Sequence, residues 1–363
     1  MVVKALICGA GVGGLSAAIG LARIGWEVQV FDKSDDLRST GAGLNLWPNA
    51  VRAIYALGLR EQYDSIAVKL NRYVGYAPDG RLLFDKDTSH WPEKYGAPST
   101  GVYRKALNEM LAEAVGMDRI KFGHELTSVH NEENKAVCTF ANAEVHVADL
   151  VVGADGIYST VRQRLIGDVE FKKNEHHAYR LRALISLSDV DVDPAAQTAY
   201  YESKSFLAVI PIGAGMAYWF GSVTGASCID EFIDHFSSWT NTHIPNTLRI
   251  TPRETIIENA LYDIETRPDK WVYGRIVLLG DAAHAMMPDM AQGASQTFID
   301  SKVLSEALSR NSDVEAALGE YERLRKPVAY HVVERSRRGS YRGAQVVDPI
   351  AVRYEKEIEG FES

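Results

Sequence analysis

The first segment of the sequence that could do chemistry is a run of spaced glycines. Residues 6–14 read LICGAGVGG, so an apolar strand leads into a turn and then into a helix predicted over residues 15–24. Gly9 allows the tight turn, Gly11 lets the backbone approach a pyrophosphate, and Gly14 lets helix and strand pack closely. The helix N-terminus would present free N–H groups and the positive end of its dipole to the phosphates.

An acidic residue closes the second predicted strand. Residues 28–32 read VQVFD, which places Asp32 18 residues after Gly14. A carboxylate at this position accepts hydrogen bonds from the ribose hydroxyls of an adenine dinucleotide and disfavours a 2′-phosphate. The pattern therefore predicts a dinucleotide site, but by itself it does not choose between a nicotinamide and a flavin.

Two later segments distinguish these cofactors. Residues 149–162 read DLVVGADGIYSTVR, an apolar strand followed by a tight acidic turn and a basic helix start. Residues 275–284 read RIVLLGDAAH, and Pro288 and the segment AQGA at 291–294 follow them. With these three motifs in order, the chain resembles the single-component FAD-dependent aromatic hydroxylases, the family of p-hydroxybenzoate and salicylate hydroxylases.

The resemblance extends over about residues 3–333. The segments GAGL at 41–44 and MAQGA at 290–294 are most similar to members that act on small aromatic or N-heteroaromatic acids, such as the 6-hydroxynicotinate and pyridine-carboxylate hydroxylases. The implied fold is a Rossmann-like α/β FAD-binding domain of the GR2 type, interleaved with an antiparallel β-sheet substrate lobe and followed by C-terminal helices.

Two motifs for one cofactor, near residues 10 and 280, require a domain that is discontinuous in sequence. We predict the FAD-binding domain over residues 1–65, 99–178 and 271–345, the substrate lobe over 66–98 and 179–270, and a C-terminal tail over 346–363. Alternation of apolar residues predicts lobe strands at 182–187, 199–202, 206–211 and 216–220, with a hairpin turn at 212–215. Helices are predicted at 48–57, 105–115, 295–308, 314–325 and 328–338.

The resemblance also implies the reaction. In this family NADH or NADPH reduces FAD, the reduced flavin captures dioxygen as a C(4a)-hydroperoxide, and an electron-rich ring takes the distal oxygen. The protein must hold the flavin, stabilise negative charge on the reduced ring and exclude water. The expected partners are therefore FAD, NADH or NADPH, dioxygen and a small aromatic substrate, and the outcome is hydroxylation or oxidative decarboxylation.

Each motif is given a task by the resemblance. Asp281 is suited to accept hydrogen bonds from the ribityl chain or to lie beside the pyrophosphate, and Pro288 would pack near the oxygen-reacting face. The N–H groups of residues 292–294 would point at the flavin pyrimidine edge, where a helix dipole favours the anionic reduced flavin. The residues predicted to bind FAD are Gly9, Gly11, Gly13, Gly14, Asp32, Lys33, Gly43, Arg104, Asp155, Gly156, Gly280, Asp281, Gln292, Gly293 and Ala294.

The residues expected near the reacting ring are less well defined by sequence. Asn45 falls where some relatives place a His or Tyr, and an Asn can orient a phenol or a ring nitrogen but cannot act as a base at neutral pH. Because only about half of a strand's residues point inward, the direction of each lobe side chain stays open. The candidates to hold a carboxylate or phenolate are Arg180, Arg182, Tyr201 and Tyr218, and the catalytic candidates are Asn45, Tyr218, His284 and Pro288.

Several positions qualify these assignments. For His284 we favour a hydrogen-bonded role that shapes the flavin loop over that of a base, because no nucleophile pattern or paired-carboxylate spacing accompanies it. The usual Gly before Gln-Gly is Ala291, the usual Asn two residues after Gly293 is Ser295, and the common Glu-Asp pair is replaced by Ile-Asp at 299–300. The first two leave the backbone role of the loop possible, and the third removes a charge. The charges of the last two helices, Arg325 among them, predict a solvated face, with a subunit contact as the alternative.

Composition narrows the class of protein. The chain has 363 residues, 46% hydrophobic, enough for more than one lobe, and a net charge of −9, which argues against a nucleic-acid surface. No apolar stretch approaches the ~20 residues of a membrane span, and no signal composition is present. Three dispersed cysteines and the adjacent His176 and His177 give no metal-ligand pattern, so no metal is predicted. A cytoplasmic monomer or homodimer is expected.

Two other functions remain open at this level. A flavin-dependent reductase or halogenase could use the same fold, although the W-x-W-x-x-I-P segment that such halogenases share is missing from the sequence. A redox-inactive flavoprotein acting as a binding module is the second alternative, and the retention of all three cofactor motifs argues against it.

Overall fold

The computed structural model describes residues 3–37, 41–173, 178–203, 205–258, 262–265 and 267–341. His176, His177 and the predicted tail lie outside the described residues. The strands of the described chain are β1 (Lys4–Cys8), β2 (Glu27–Phe31), β3 (Gly43–Leu46), β4 (Ala67–Leu70), β5 (Arg72–Tyr76), β6 (Leu82–Asp87), β7 (Ser99–Tyr103), β8 (Ile120–Lys121), β9 (Leu126–Glu132), β10 (Lys135–Phe140), β11 (Val145–Ala148), β12 (Leu150–Gly153), β13 (Phe171–Lys173), β14 (Ala178–Ser186), β15 (Ala196–Glu202), β16 (Ser205–Gly213), β17 (Met216–Thr224), β18 (Ile257–Glu258), β19 (Tyr262–Ile264), β20 (Val272–Tyr273) and β21 (Ile276–Leu278).

The helices differ widely in length, from single turns to the long C-terminal helix. They are α1 (Val12–Arg23), α2 (Pro48–Ala56), α3 (Arg60–Ile66), α4 (Trp91–Tyr95), α5 (Arg104–Val115), α6 (Thr160–Ile166), α7 (Ile229–Ser237), α8 (Ile244–Ile250), α9 (Asp281–His284), α10 (Gly293–Arg310) and α11 (Val314–Tyr341). None of those within the described ranges is long and apolar enough to cross a membrane.

A mostly parallel sheet forms the first lobe. Its strand order is β20-β21-β12-β1-β2-β8, and β1 pairs in parallel with both β2 and β12. Strands β1, β12 and β21 are almost entirely apolar and buried, as expected where helices cover both faces of a parallel sheet. All six strands fall within the three segments predicted for the FAD-binding domain.

A seven-stranded sheet forms the second lobe. Its order is β18-β14-β17-β16-β15-β5-β6, and all pairs are antiparallel except β15 with β5. One face packs on α7 and α8 through a core that includes Trp219, Phe232 and Leu248. The opposite face lies against the three-stranded sheet β3-β7-β4, where Gly101 comes so close to the Pro211 carbonyl that a Cβ would sit 2.0 Å from that oxygen. The predicted fold class, a Rossmann-like domain with an antiparallel lobe, is confirmed.

The C-terminal region differs from the prediction. Instead of two helices at 314–325 and 328–338, one helix, α11, runs through Pro327. A proline inside a helix removes one hydrogen bond, but side chains on both sides of it, such as Tyr321 and Ala329, are buried against the rest of the first lobe and hold the helix together. Arg325 is only 4% exposed, so the prediction of a solvated face is wrong at this residue.

Candidate active site

The glycine turn after β1 is shaped by close packing at two positions and by open space at a third. Gly9 has φ +108°, and a Cβ there would lie 2.4 Å from the carbonyl oxygen of Ala154. A Cβ at Gly14 would lie 1.8 Å from the Gly9 carbonyl oxygen, so α1 can begin here only because this residue has no side chain. A Cβ at Gly11 would meet nothing within 4 Å. The turn is therefore tight on its protein side and open where a pyrophosphate would approach.

Asp32 is fixed beside this turn. Its Oδ2 accepts a hydrogen bond from the Ala10 N–H at 2.7 Å, and its Oδ1 accepts from the backbone and the hydroxyl of Ser34 at 2.8 and 2.6 Å. Each carboxylate oxygen offers about two acceptor sites, so Oδ2 keeps one for a ribose hydroxyl. The neighbouring Lys33 is exposed.

The acidic turn at Asp155 is directed at its own helix. Asp155 Oδ1 accepts from the Ser159 hydroxyl at 2.5 Å and Oδ2 from the Val161 N–H at 3.0 Å, which fixes the start of α6. Burial raises the pKa of this carboxyl. Gly156, at φ +83°, has no atom within 4 Å of a Cβ position, so the turn leaves room for a ligand at its backbone.

Arg162 joins this turn to the second acidic motif, and sequence reasoning did not single it out. The side chain is buried, and it donates to the carbonyl oxygen of Ala282 at 2.9 Å and to that of Ile157 at 2.5 Å. Burial lowers the pKa of the guanidinium, against the opposing charges of Asp155 and Asp281. The partners lie up to 120 residues away along the chain, so the only signal in the sequence was an arginine one turn into a helix.

The turn before α9 brings a carboxylate to the surface of the first lobe. Gly280 has φ +63°, and Asp281 is the first residue of α9 and is exposed. Thr297, on the second turn of α10, lies against both glycine motifs, with side-chain atoms 3.0 Å from Cβ positions at Gly13 and at Gly280. The three motifs predicted from the sequence thus meet at one place, beside the N-terminus of α10.

The loop between α9 and α10 comprises residues 285–292. Pro288 is exposed on it, Ala291 has a left-handed backbone (φ +49°, ψ 35°), and Gly293 and Ala294 are half-buried at the start of α10. His284 is 2% exposed, and its Nε2 is 2.6 Å from Asp300 Oδ2. A ring so buried cannot reach a substrate, so the geometry places His284 with the residues that shape the loop.

These features fit an adenine dinucleotide in extended form. Gly11 leaves an open approach to the backbone, Asp32 keeps an acceptor beside it, and the exposed Asp281 carboxylate and the α10 N-terminus follow along the same edge of the sheet. Carboxylates at the sugar positions and free N–H groups at helix starts are the donors and acceptors that such a molecule needs.

The inner face of the second lobe carries all four predicted lobe residues. In the pairing of β14 with β17, Arg182 lies opposite Phe220 and Arg180 lies opposite Ser222. Tyr218 is two residues before Phe220 on β17, so its side chain is on the same face. Tyr201 reaches the same face through the pairs of β15 with β16 and of β16 with β17.

Tyr218 lies at the junction of the lobes. A Cβ at Gly43 would lie only 2.8 Å from the Tyr218 Cβ, so Tyr218 can pack this closely on β3 only because residue 43 is a glycine. Arg182 donates a hydrogen bond to the Tyr218 hydroxyl. Burial raises the pKa of the phenol, and the positive charges of Arg182 and Arg104 offset part of that effect. Arg104 opens α5 beside Gly41, with its Cδ 2.7 Å from a Cβ position there.

Asn45 is held in a polar group between the lobes. Its Nδ2 donates to Gln197 Oε1 at 2.8 Å and is 3.2 Å from the Tyr73 hydroxyl, and its Oδ1 accepts from Ser99 Oγ at 3.2 Å. Gln197 and Tyr73 escaped the sequence analysis because they belong to lobe strands without a motif. Tyr201 lies apart from this polar group. It is four residues from Gln197 on β15, roughly 13 Å along the strand, and its ring contacts Phe84 and Phe206.

Comparison with known proteins gives consistent matches along the chain. The model of the family described as FAD binding domain matches residues 2–336. The chain is 30% identical to the aurachin C monooxygenase/isomerase of Stigmatella aurantiaca (94% of this chain, 88% of that protein) and 32% identical to 3-hydroxybenzoate 6-hydroxylase 1 of Aquipseudomonas alcaligenes (88% and 84%). It is 31% identical to an FAD-dependent urate hydroxylase of Mycolicibacterium vanbaalenii (92% and 87%).

Solved structures show the same fold. Klebsiella pneumoniae HpxO complexed with FAD and uric acid has a TM-score of 0.85 at 24% identity, over 99% of this chain and 93% of that one. A 2-methyl-3-hydroxypyridine-5-carboxylic acid oxygenase variant has a TM-score of 0.82 at 23% identity, over 98% and 97%.

Proposed function

Because the chain belongs to the FAD binding domain family and is an FAD-dependent aromatic hydroxylase, we propose a substrate class and a reductant for it. The substrate is a small phenol or hydroxylated N-heteroaromatic acid, and the reductant is NADH or NADPH. The observation that carries the proposal is the Arg182–Tyr218 hydrogen bond on the inner face of the lobe sheet, at the contact with Gly43.

When bound, FAD would supply the redox chemistry of the reaction, which is hydride acceptance from NADH or NADPH and activation of dioxygen. The residues of the chain provide the rest. Gly11, Asp32 and Asp281 would hold the pyrophosphate and the sugar hydroxyls, and the N-terminal N–H groups of α10 would stabilise negative charge on the reduced ring system.

Arg182 and Tyr218 give the substrate class its chemical basis. A guanidinium beside a phenol on a buried face favours an anionic group, either a carboxylate or an ionised ring hydroxyl. Tyr218 can accept from or donate to a ring hydroxyl, and Phe220, stacked on Tyr218 with ring centroids 5.3 Å apart, provides an aromatic wall. The names of the relatives, which include urate, 3-hydroxybenzoate and 3-amino-4-hydroxybenzoate, describe small polar rings of this kind.

Aromatic packing beneath this pair would keep water out. Trp47, Tyr73 and Trp91 are buried against each other, and the rings of Trp47 and Tyr73 stack at 5.4 Å. Asn45 is hydrogen-bonded to both Gln197 and Tyr73, so this region between the lobes has fixed polar groups that can orient a ring nitrogen or hydroxyl. A dry, fixed cavity is what oxygen transfer requires.

The test is turnover by the purified, FAD-loaded protein with a panel of hydroxybenzoates, hydroxynicotinates, urate and hydroxyquinolines. We expect one group of these compounds to stimulate NADH or NADPH oxidation and to yield a product heavier by one oxygen atom. Arg182→Met should raise KM for anionic substrates more than Arg182→Lys does. Arg253→Met, at an exposed ion pair of the same lobe, serves as the control. If FAD is bound but no compound of this class stimulates oxidation, the substrate proposal is wrong.

A further inference from the structure

A buried cluster of polar side chains meets the first end of the α9–α10 loop. Asp300, fully buried on α10, accepts with Oδ2 from the Gly280 N–H at 3.1 Å and pairs with His284 Nε2 at 2.6 Å. Its Oδ1 accepts from Arg325 Nε of α11 at 2.7 Å. Because the His284 Nδ1 has no partner among the described residues, the ring proton belongs on Nε2, and His284 is the donor to Asp300.

The same cluster holds the second end of the loop. Arg325 Nη2 donates to Gln296 Oε1 at 2.6 Å, and Gln296 Nε2 donates to Gln292 Oε1 at 3.0 Å. Asn49 of α2 donates to that same oxygen at 3.1 Å. The hydrogen bonds therefore run from His284, just before the loop, to Gln292, its last residue, and pass through one buried ion pair.

This arrangement constrains a loop whose own sequence does not favour its shape. Ala291, next to Gln292, is in the left-handed region, which is unfavourable for an L-residue with a Cβ. Gln292 is fully buried, whereas Gly293 and Ala294 are half-buried beside it. The side chain thus anchors the loop from behind, while the next two residues present their backbone at the open side.

The Asp300–Arg325 pair is charged and shielded from water. Burial alone would raise the pKa of Asp300, but the hydrogen bonds from His284 and Arg325 and the positive charge of Arg325 outweigh it and hold the pKa below its ordinary value. Removing one member of such a pair leaves an uncompensated buried charge, whereas removing both with side chains of similar volume is often neutral. The two roles that the pair could have, stability and loop geometry, can therefore be separated experimentally.

We propose that Asp300 and Arg325 are positioning residues of the flavin site. Acting through His284 and Gln292, they fix the α9–α10 loop so that the N-terminal N–H groups of α10 face the bound FAD. Neither residue touches the cofactor, since both are buried behind the loop. The inference rests on the FAD-dependent function above and deepens it, because it assigns the geometry of the flavin site to a pair that contains a residue of the C-terminal helix.

The experiment compares Asp300→Asn, Arg325→Met and the double variant with the parent. Thermal unfolding of the FAD-free protein reports stability, while the FAD dissociation constant, the flavin absorption spectrum and the flavin midpoint potential report the loop. We expect each single variant to lose stability and to bind FAD at least about tenfold more weakly, the scale of a lost charge-assisted hydrogen bond. The double variant should recover most of the stability while FAD affinity, spectrum and potential stay altered.

Ser301→Ala is the matched control. Ser301 is the next residue on α10, is equally buried, and shares a hydrogen bond with Ser16 at 2.7 Å, away from the loop. This variant should lose stability but keep the parental FAD affinity and spectrum. The proposal is overturned if the double variant regains parental flavin properties together with its stability, or if Ser301→Ala changes them equally.

None of these measurements uses an aromatic substrate. A parent protein that binds FAD but hydroxylates nothing would refute the proposed function without affecting the result for the loop. If the single variants do not fold, the double variant still decides the outcome.

Discussion

At the scale of single residues, Ala291 shows how a departure from the family pattern is accommodated. The family usually has Gly here, and the structure gives the reason, a left-handed backbone at φ +49°. The chain tolerates Ala at this point because the side chain of the next residue, Gln292, is held by hydrogen bonds from Asn49 and Gln296.

Ala291→Gly should therefore stabilise the FAD-free protein. Relief of the left-handed strain exceeds the entropy that glycine adds to the unfolded chain, for a net gain of about 0.5–1 kcal/mol. Urea unfolding measures it, and Ala294→Gly, within the first turn of α10, should instead cost about 0.5–1 kcal/mol. A less stable Ala291→Gly protein would show that the strain is not real.

Asp155 predicts a specific pH dependence. Because burial raises its pKa in the folded state, the stability it contributes is fully present below the ordinary carboxyl pKa of ~3.9 and is lost as pH rises through the raised value. Asp155→Asn removes this pH-dependent loss of stability. The amide can still accept from the Val161 N–H and donate to the Ser159 hydroxyl, because a hydroxyl accepts as well as donates. As pH rises from about 4 through the raised pKa, the Tm of the variant should improve relative to the parent, and the difference should then level off. A difference that does not vary with pH contradicts the assignment.

The roles that could be predicted from the sequence are those that depend only on neighbouring positions along the chain. Gly9 and Gly14 are examples, since the turn and the start of α1 follow from adjacent positions. Arg162, Gln197 and the pairing of Asp300 with Arg325 were not predicted, because their partners come from distant segments and no local pattern marks them. Arg325 even has the helical spacing of a charged, solvated surface.

At the scale of elements, the glycines of the turn after β1 serve two different requirements, packing of the fold and access for a ligand, which the sequence motif does not distinguish. Gly14 is needed for the packing of α1 on β1, and Gly11 for access from outside. The motif alone cannot distinguish a glycine that the fold needs from one that the ligand needs, but the surroundings of each Cβ position can.

Gly11→Ala and Gly14→Ala should therefore fail in different ways. Gly11 has an extended backbone (φ −81°, ψ −177°) that any residue adopts, so its alanine variant should keep the parental Tm without FAD and lose FAD affinity, because the methyl group occupies the pyrophosphate space. Gly14→Ala should lower the Tm of the FAD-free protein, since α1 must shift away from the Gly9 carbonyl. Calorimetry and FAD titration of both variants check this, and equal loss of stability in the two would contradict it.

Helix α11 shows where element prediction reached its limit. Proline normally ends a helix, so the sequence favoured two helices separated near Pro327. Tertiary packing prevailed, because apolar residues on both sides of the proline are buried in the same core. The lobe strands were easier, since alternation of apolar residues and the predicted 212–215 turn mark their positions locally.

At the scale of the whole molecule, the proposed reaction site lies between two sheets that approach through glycines. Gly43 admits Tyr218, and Gly101 admits the β16 backbone. The general arrangement followed from the order of three motifs in the sequence. Which lobe side chains share the inner face did not, because strand register is set by pairing that the sequence leaves open.

Tyr218→Phe should uncouple the reaction without releasing FAD. Loss of the hydroxyl removes the hydrogen bond with Arg182 and the contact expected to orient the ring, while the FAD contacts in the first lobe are untouched. We expect NAD(P)H oxidation to continue with less product and more hydrogen peroxide per NAD(P)H consumed, and Asn45→Ala to behave similarly. Tyr179→Phe is the control, because its hydroxyl bonds Glu258 on the other face of the lobe sheet. Full coupling in both Tyr218→Phe and Asn45→Ala would place the substrate elsewhere.

The order β20-β21-β12-β1-β2-β8 also has a consequence for biosynthesis. Strand β12 ends at Gly153, but its neighbour β21 begins at Ile276. At ribosomal rates of about 5–20 residues per second, the interval between β12 and β21 is on the order of ten seconds. Throughout that time the apolar edge of β12 has no neighbour, and unpaired edges invite aggregation. This edge therefore stays unpaired until β21 has been made, and the predicted FAD site is complete only once α10 has followed.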